Sequence, residues 1–273
     1  MTEPLEMDYV VRGFDCGYGG PLRPFALANY FQEAAGAHAA MLGIGMEHLW
    51  RKGLTWMLAR IDIRITRLPE HGAKVCVRTW PAGTRRLFAL RCLELEDAQG
   101  KRLAGALYEY IIVDMQTRRP VRPERHLSPD LKVDRPWPYE DLAPGVEEGP
   151  FLEFERGNLS AGQEFRLAFE IEARGRHIDH NGHVNNAHFV NWLCDAVPGA
   201  EYGTGPQKDS ETGSEAGSSH VPAIAPKRLK IDFVHEIRRG EKIRAWYLPA
   251  GEGIWLSALS TEGGLAARAR LSI

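Results

Sequence analysis

Cysteine is scarce in this chain, and what it lacks is pairing: Cys16, Cys76, Cys92 and Cys194 are scattered with no C-x-x-C. That excludes a zinc ribbon and a disulfide framework, and it suits a reducing compartment. No apolar run approaches the ~18 residues that a bilayer-spanning helix needs. The start, Met1 to Asp8, is polar and acidic without an apolar stretch, so no signal peptide is visible and a cytoplasmic, soluble protein is expected. Charge of one sign is missing too. The 34 Lys+Arg against 36 Asp+Glu give a net charge of -2, which excludes recruitment of nucleic acid by a global basic field. What is present is a globular balance, 44% hydrophobic and 26% charged, over 273 residues, enough for one large domain or two ordinary ones.

Two stretches break that texture. Residues 126–150 hold five prolines (Pro129, Pro136, Pro138, Pro144, Pro150) and read as a linker that wraps a surface. Residues 203–220 are Gly, Ser, Thr and charge with Ala216 the one apolar residue, which predicts a mobile loop. On either side of the Pro-rich linker the same signals recur in order. The helical stripe Leu27, Phe31, Ala34, Ala35 returns 162 residues later as Phe189, Leu193, Ala196, Val197. The alternating strand Ile61, Ile63, Ile65 returns 168 residues later as Leu229, Ile231, Phe233, and Pro81-Ala82-Gly83 returns as Pro249-Ala250-Gly251. The offset changes by six between helix and strand, where the second copy carries its Gly/Ser loop, and a tandem duplication explains these ordered matches better than two unrelated domains do.

Each copy reads as a strand, a loop, one helix and several long antiparallel strands. Strand signals cover 74–80, 88–94, 103–113, 242–247, 254–259 and 265–272. The first helix is rich in small residues (Ala34, Ala35, Gly36, Ala37, Ala39, Ala40), so a sheet can wrap it closely. The expectation is an α+β chain of two tandem hot-dog units, a double hot-dog, with 1–125 as the first unit, 126–150 as linker and 151–273 as the second.

The densest chemistry is Arg176-His177-Ile178-Asp179-His180-Asn181-Gly182-His183-Val184-Asn185-Asn186, just before the second helix. A carboxylate, an amide and an imidazole there stand beside the free N–H groups and positive end of a helix, a setting that favours a developing oxyanion. The same residues are ordinary turn formers, and Asn185 or Asn186 serves equally as an N-cap. A metal site is disfavoured, since the histidines do not form H-E-x-x-H and thiol partners at zinc spacing are missing. The duplication adds an asymmetry. Asp179, Asn181 and His183 correspond to Gly17, Gly19 and Pro21, and Glu236, past the second alternating strand, corresponds to Leu68. Glu236 is out of phase with the inward residues, which predicts a bulge or strand end; a plain solvent-facing acid is the other reading.

Together these residues resemble the acyl-acyl carrier protein thioesterases of plants and bacteria. The resemblance rests on Asp179-x-Asn181-x-His183-Val184-Asn185-Asn186 with Trp192, on Leu54-Thr55-Trp56, Val77-Arg78-Thr79-Trp80 and Ala28-Asn29-Tyr30-Phe31-Gln32-Glu33-Ala34, and on Val113-Asp114-Met115-Gln116-Thr117-Arg118-Arg119. It implies a double hot-dog that hydrolyses fatty acyl-acyl carrier protein without cofactor or metal. It also implies a catalytic set of Asp179, Asn181, His183 and Glu236. Plant members commonly follow the Glu with Cys; here Ile237 stands there, which speaks against a thiolate mechanism. The expected chemistry is water activated by Glu236, or attack by Glu236 itself to give an acyl anhydride, with the N–H groups of Val184 and Asn185 as oxyanion donors.

An acyl chain needs an apolar pocket, for which Met41, Leu42, Ile44, Met46, Trp56 and Met57 are candidates beside their reading as plain core. The partner, acyl carrier protein, is acidic. Lys227, Arg228, Lys230, Arg238 and Arg239 are candidate docking residues, as are the clusters Arg85-Arg86 and Arg118-Arg119 with Arg122 and Arg125. A monomer or a homodimer is expected. An acyl-CoA thioesterase with the same site and a non-catalytic acyl-thioester binding protein stay open as alternatives.

Overall fold

The computed structural model describes residues 2–17, 19–156, 164–198 and 226–273; the loop expected at 203–220 lies outside them. The first part of the chain supplies β1 (Leu5–Val10), β2 (Leu54–Ile65), β3 (Lys74–Arg85), β4 (Phe88–Asp97), β5 (Arg102–Asp114) and the short β6 (Pro120–Val121), which pairs with β5. The second supplies β7 (Arg166–Glu172), β8 (Arg228–Phe233), β9 (Lys242–Gly251), β10 (Ile254–Thr261) and β11 (Gly264–Ser272). Each of the six strand signals read from the sequence falls within one of these longer strands.

All strands but β6 follow one order, β1-β3-β4-β5-β2-β8-β11-β10-β9-β7. Read outward from the β2/β8 pair, both sides repeat the same succession: β2, β5, β4, β3, β1 against β8, β11, β10, β9, β7. In that central antiparallel pair Asp62 lies opposite Lys230, its own counterpart at the 168-residue offset, so a local two-fold axis runs through the seam.

Among the described residues there are four α-helices: α1 (Pro24–Met41), α2 (Met46–Trp50), α3 (Gly149–Arg156) and α4 (Asn186–Asp195). α1 opens with Pro24 in its first turn, where a fixed φ and a missing N–H cost nothing. It packs on α4 and on β3. Leu27, Phe31, Phe189 and Leu193 join Ile61, Ile63, Leu229 and Ile231 in one core, so the stripes and alternations meet as their periods require. The fold is a double hot-dog. Among the described residues no helix is long and apolar enough to cross a membrane.

The alternation in β2 makes Asp62 a solvent-facing residue, and here the structure differs. Residues 126–156 run as a strap over the other face of the sheet, burying Trp80, Leu90, Cys92 and Leu107 beneath Val133 and Leu142. Farther along, Phe151 of α3 packs on Phe165, Leu248 and Leu256. The strap lies so close that a Cβ at Gly105 would come within 2.5 Å of the Pro138 Cβ. Asp62 is thereby fully buried and is satisfied by the Ala143 N–H at 2.8 Å and by Arg228 at 2.9 and 2.8 Å. Asp232 is held likewise by the Val146 N–H and Arg268.

This corrects two candidate docking residues. Arg228 also bonds Asp141 of the strap at 2.8 Å, and Lys230 donates to the Ala143 carbonyl at 2.8 Å. Both cations are tied to the strap and its buried acids rather than offered to a partner.

Candidate active site

The loop before α4 is a tight turn with an internal backbone bond: the Asp179 N–H donates to the His183 carbonyl at 2.9 Å, and the Gly182 N–H to the Asp179 carbonyl at 3.0 Å. Gly182 sits at φ 82°, a left-handed conformation that residues with a Cβ rarely adopt. The Val184 N–H then reaches across to the Ile237 carbonyl at 2.8 Å. That single bond ties the residue after His183 to the residue after Glu236, which is what brings the two side chains together. Glu236 follows the end of β8, where the N–H groups of Val234 and His235 both point at the Ala266 carbonyl, so the strand ends with a bulge-like step as the phase argument predicts.

The same framework exists in the first half without the polar side chains. The Gly17 N–H bonds the Pro21 carbonyl at 2.9 Å, the Gly20 N–H bonds the Gly17 carbonyl at 3.1 Å, and the Leu22 N–H bonds the Pro69 carbonyl at 2.8 Å. Thr66 and Arg67 share the Leu103 carbonyl as Val234 and His235 share that of Ala266. Gly17, Gly19, Pro21 and buried Leu68 occupy the places of Asp179, Asn181, His183 and Glu236. The turn forms equally well from Gly and Pro, so turn formation does not explain the polar set.

All four of those polar side chains are linked in pairs at short range. His183 Nε2 lies 3.0 Å from Glu236 Oε2. Asp179 Oδ1 accepts the Asn181 N–H at 2.8 Å, and its Oδ2 lies 3.4 Å from Asn181 Nδ2, an arrangement that clamps the amide. Asn181 Oδ1 is buried with no hydrogen-bond partner among the described residues. An orphaned acceptor of this kind is uncommon in folded proteins and marks a place where a ligand or water donates.

A fifth group was not singled out for the site by sequence reasoning. Arg118 Nη2 lies 3.2 Å from the same Glu236 Oε2. It comes from the turn after β5, where Asp114 Oδ1 accepts from the N–H groups of Gln116 and Thr117 and from the Thr117 hydroxyl. Those Thr117 donors hold the Asp114 carboxyl below its ordinary range. The turn places Arg118 at φ 57°, unusual for a residue with a Cβ. The Val113 to Arg119 motif was the signal, but only the fold shows that it reaches into the second half.

The expected oxyanion donors are corrected. The Val184 N–H is taken by Ile237, and the Asn185 N–H by the His177 carbonyl at 2.9 Å. Asn185 is the N-cap of α4, its side chain accepting the Ala187 N–H at 2.8 Å. The first N–H inside the helix, that of Asn186, has no partner among the described residues, and Asn186 lines the cavity described next.

A cavity of about 950 Å³ opens beside this loop. Asp179, Asn181 and Asn186 border it from the second half; of the rest, α1, α2 and strands β2 to β5 of the first half supply most, and residues 124–132 at the start of the strap supply the remainder. Ile44, Met46 and Trp56 line it as expected. Met41, Leu42 and Met57 do not: Met41 is 72% exposed and, with Leu42, borders a separate shallow pocket near the N-terminal strand. The small residues Gly36, Ala39 and Ala40 of α1 leave this space open, whereas Ala34 and Ala35 are buried.

Comparison with known proteins agrees with this geometry. The family model of the acyl-ACP thioesterase N-terminal domain matches residues 3–128, and that of the C-terminal domain matches residues 162–202. The chain belongs to the acyl-ACP thioesterase family. The oleoyl-acyl carrier protein thioesterase of Coriandrum sativum is 24% identical over 208 residues, covering 70% of this chain and 53% of the relative. The palmitoyl-acyl carrier protein thioesterase of Cuphea hookeriana is 22% identical over 208 residues, covering 71% and 47%. The chain thus spans about half the length of the curated relatives it matches. Among solved structures, an acyl-ACP thioesterase from Bacteroides thetaiotaomicron superposes with a TM-score of 0.77 at 22% identity, covering 98% of this chain and 97% of that one. The 12:0-ACP thioesterase from Umbellularia californica gives 0.76 at 18% identity, covering 98% and 96%.

As a member of this family the chain has no thiol beside its candidate carboxylate. Ile237 is fully buried, and Cys194 is buried in the α4 core, where burial pushes its thiol well up. Of the remaining docking candidates, Arg238 and Arg239 are exposed one turn beyond Glu236, and exposed Lys227 lies 3.4 Å from the Ile273 carbonyl.

Proposed function

We propose that this protein hydrolyses the thioester joining a fatty acyl chain to the phosphopantetheine arm of acyl carrier protein, releasing free fatty acid and holo-carrier and so ending chain elongation. The observation that carries this reading is the pair of loops with one backbone and two compositions. Only the second loop bears Asp179, Asn181 and His183, with Glu236 held beside it, and that loop borders a cavity with room for an acyl chain.

In this reading Glu236 is the general base. Its Oε2 is occupied by His183 and Arg118, which leaves Oε1 free to take a proton from water. The buried Asn181 Oδ1 accepts the water's other hydrogen, and Asp179 fixes the amide that carries it. Attack on the thioester carbonyl sends the electron pair onto oxygen, toward the Asn186 N–H at the start of α4. Collapse reforms C=O, breaks C–S, and the leaving thiolate takes the proton held by Glu236. A carboxylate is a weak base at neutral pH, so positioning must supply much of the rate.

The division of labour follows. Residues 1–125 supply most of the acyl cavity, 126–150 much of the strap, and 151–273 the reacting groups. Exposed Arg119, Arg238 and Arg239 flank Glu236 and steer the acidic carrier. Four free cysteines fit a cytoplasmic setting, with the chain acting as monomer or homodimer. The test is Glu236→Gln in single turnover with acyl carrier substrate. The expected result is no hydrolysis with acyl binding and melting temperature retained; near-normal turnover would overturn both the water and the anhydride routes. A parallel assay with acyl-CoA of equal chain length decides between carriers.

A further inference from the structure

The arginines around the sheet's strap-covered face are paired with buried acids. Arg78, Arg102 and Arg135 converge on Glu94, Arg60 and Arg85 on Glu109, Arg228 on Asp62, and Arg268 on Asp232. Arg91, in the middle of β4, is different. It is 7% exposed, and no carboxylate lies within ion-pair distance of it among the described residues. Its Nη1 lies 3.2 Å from His38 Nδ1 and 3.2 Å from Thr79 Oγ1, both uncharged partners. Burial, with the charge of Arg91 second, pushes His38 down to about 4, so its ring is neutral at physiological pH and accepts from the guanidinium.

The remaining donors, Nη2 and Nε, have no hydrogen bond, yet they are not among the atoms sealed from solvent without a partner. Arg91 lines the acyl cavity together with Leu58, Ala89, Leu90 and Tyr110. The register puts Tyr108 opposite Arg91 on β5, and Tyr110, two residues along the same strand, shares that face. Burial holds the Tyr110 hydroxyl protonated, with its pKa pushed up to about 12, so it too is a donor. An alkyl chain laid here would leave a desolvated cation with no counter-charge, an expensive arrangement.

We propose that the cavity is a binding site for acyl chains that carry a carboxylate away from the thioester, half-thioesters of dicarboxylic acids, with Arg91 as the carboxylate's partner and the Tyr110 hydroxyl as a second donor. This rests on the thioesterase reading for the orientation of the chain, with its thioester at Asn181 and Glu236. The guanidinium fork matches a carboxylate in shape as well as charge. Ala39, Ala40, Ile44, Met46, Trp56 and Leu58 offer an apolar stretch of wall for the methylene segment, while Glu33, Glu47, Arg51, Glu124 and Lys132 also border the cavity.

Binding and hydrolysis are measured separately. Non-hydrolysable amide analogues of acyl-pantetheine, of equal length and ending in methyl, hydroxyl or carboxylate, are titrated calorimetrically into the full chain, Arg91→Leu and Arg91→Gln. The carboxylate-ended analogue is expected to bind about ten- to a hundredfold tighter than the methyl-ended one, the range of a charge-assisted hydrogen bond. Both variants should lose that preference. Arg91→Leu should bind the methyl-ended analogue better and melt no lower than the wild type, since it removes an uncompensated charge. Equal or tighter binding of the methyl- or hydroxyl-ended analogue by the wild type overturns the proposal, as does a carboxylate preference that survives in Arg91→Gln. The corresponding thioesters separate the two readings. Carboxylate-selective binding with no hydrolysis of any thioester upholds this site and removes the thioesterase. Hydrolysis of methyl-ended thioesters without carboxylate preference does the reverse.

Discussion

Arg118 Nη2 and His183 Nε2 meet at one oxygen of Glu236, at 3.2 and 3.0 Å. The first comes from the turn after β5 in the N-terminal half, the second from the loop before α4, so the candidate centre is assembled across the seam of the duplicated sheet. The Arg118 hydrogen bond and the His183 ring at 3.0 Å both engage Oε2, restrict the rotation of the carboxyl and leave Oε1 as the free oxygen. Arg118→Ala releases one of the two constraints without touching the acyl cavity. Its expected effect is a fall in kcat of about ten- to a hundredfold with KM little changed, the pattern of a lost positioning contact. Arg118→Lys, which keeps the charge but not the fork, should recover part of the loss. A change in KM alone, measured in steady-state assays, would assign Arg118 to carrier docking instead.

The twin loops make an unusually direct stability prediction. Gly17, Gly19 and Pro21 form the same hydrogen-bonded turn that holds Asp179, Asn181 and His183. Replacing the polar residues should therefore leave the backbone intact. Asn181→Ala removes a buried acceptor that has no partner, so chemical denaturation should show a change within about 1 kcal/mol, of either sign. Turnover should fall by roughly a hundredfold or more, the scale of losing a positioned group at the reaction centre. A loss of several kcal/mol would mean the amide is structural.

Much of this was legible in the sequence because it is periodic. Period two in Ile61, Ile63 and Ile65, helical spacing in Leu27, Phe31 and Ala34, and constant offsets between copies are local signals that tertiary packing then obeys. The misreadings share a cause: they needed to know what lies on the other side of a strand or beyond a helix end. Asp62, Arg228 and Lys230 alternate like solvent-facing residues, and only the strap makes them interior. Val184 and Asn185 precede a helix, yet antiparallel bridging uses their N–H groups and moves the free donor to Asn186. Met41 continues an apolar stripe but falls where α1 has left the sheet, so it faces out. Arg118 was invisible as a site residue because its partner is 118 residues away.

The strap assignment separates structural from docking cations by experiment. Arg228→Ala leaves Asp62 buried with two donors fewer and breaks the link to Asp141, so unfolding free energy should drop by about 3 kcal/mol. Its KM for acyl carrier substrate should keep the wild-type salt dependence. Arg238→Glu with Arg239→Glu should do the opposite, leaving stability nearly unchanged while raising KM for the carrier substrate and flattening its response to salt. Salt-dependent docking lost in Arg228→Ala would restore that residue to the docking surface.

Two histidines set a pH dependence of stability whose sign follows from their burial. His38 is pushed down to about 4 by desolvation with Arg91 beside it, and His188 to about 4 by desolvation with His177 beside it. In the unfolded chain both titrate near the ordinary imidazole value of 6.5. Between 6.5 and 4 the unfolded state therefore binds protons that the folded state refuses. The stability these rings contribute is present above pH 6.5 and is lost as pH falls toward 4. Urea midpoints should decline across that window, and the decline should shrink in His38→Gln and again in His38→Gln/His188→Gln. Carboxylates contribute to any acid limb, so the quantity to compare is the difference between variant and wild type. Parallel curves for all three proteins would show that neither ring is held neutral by the fold.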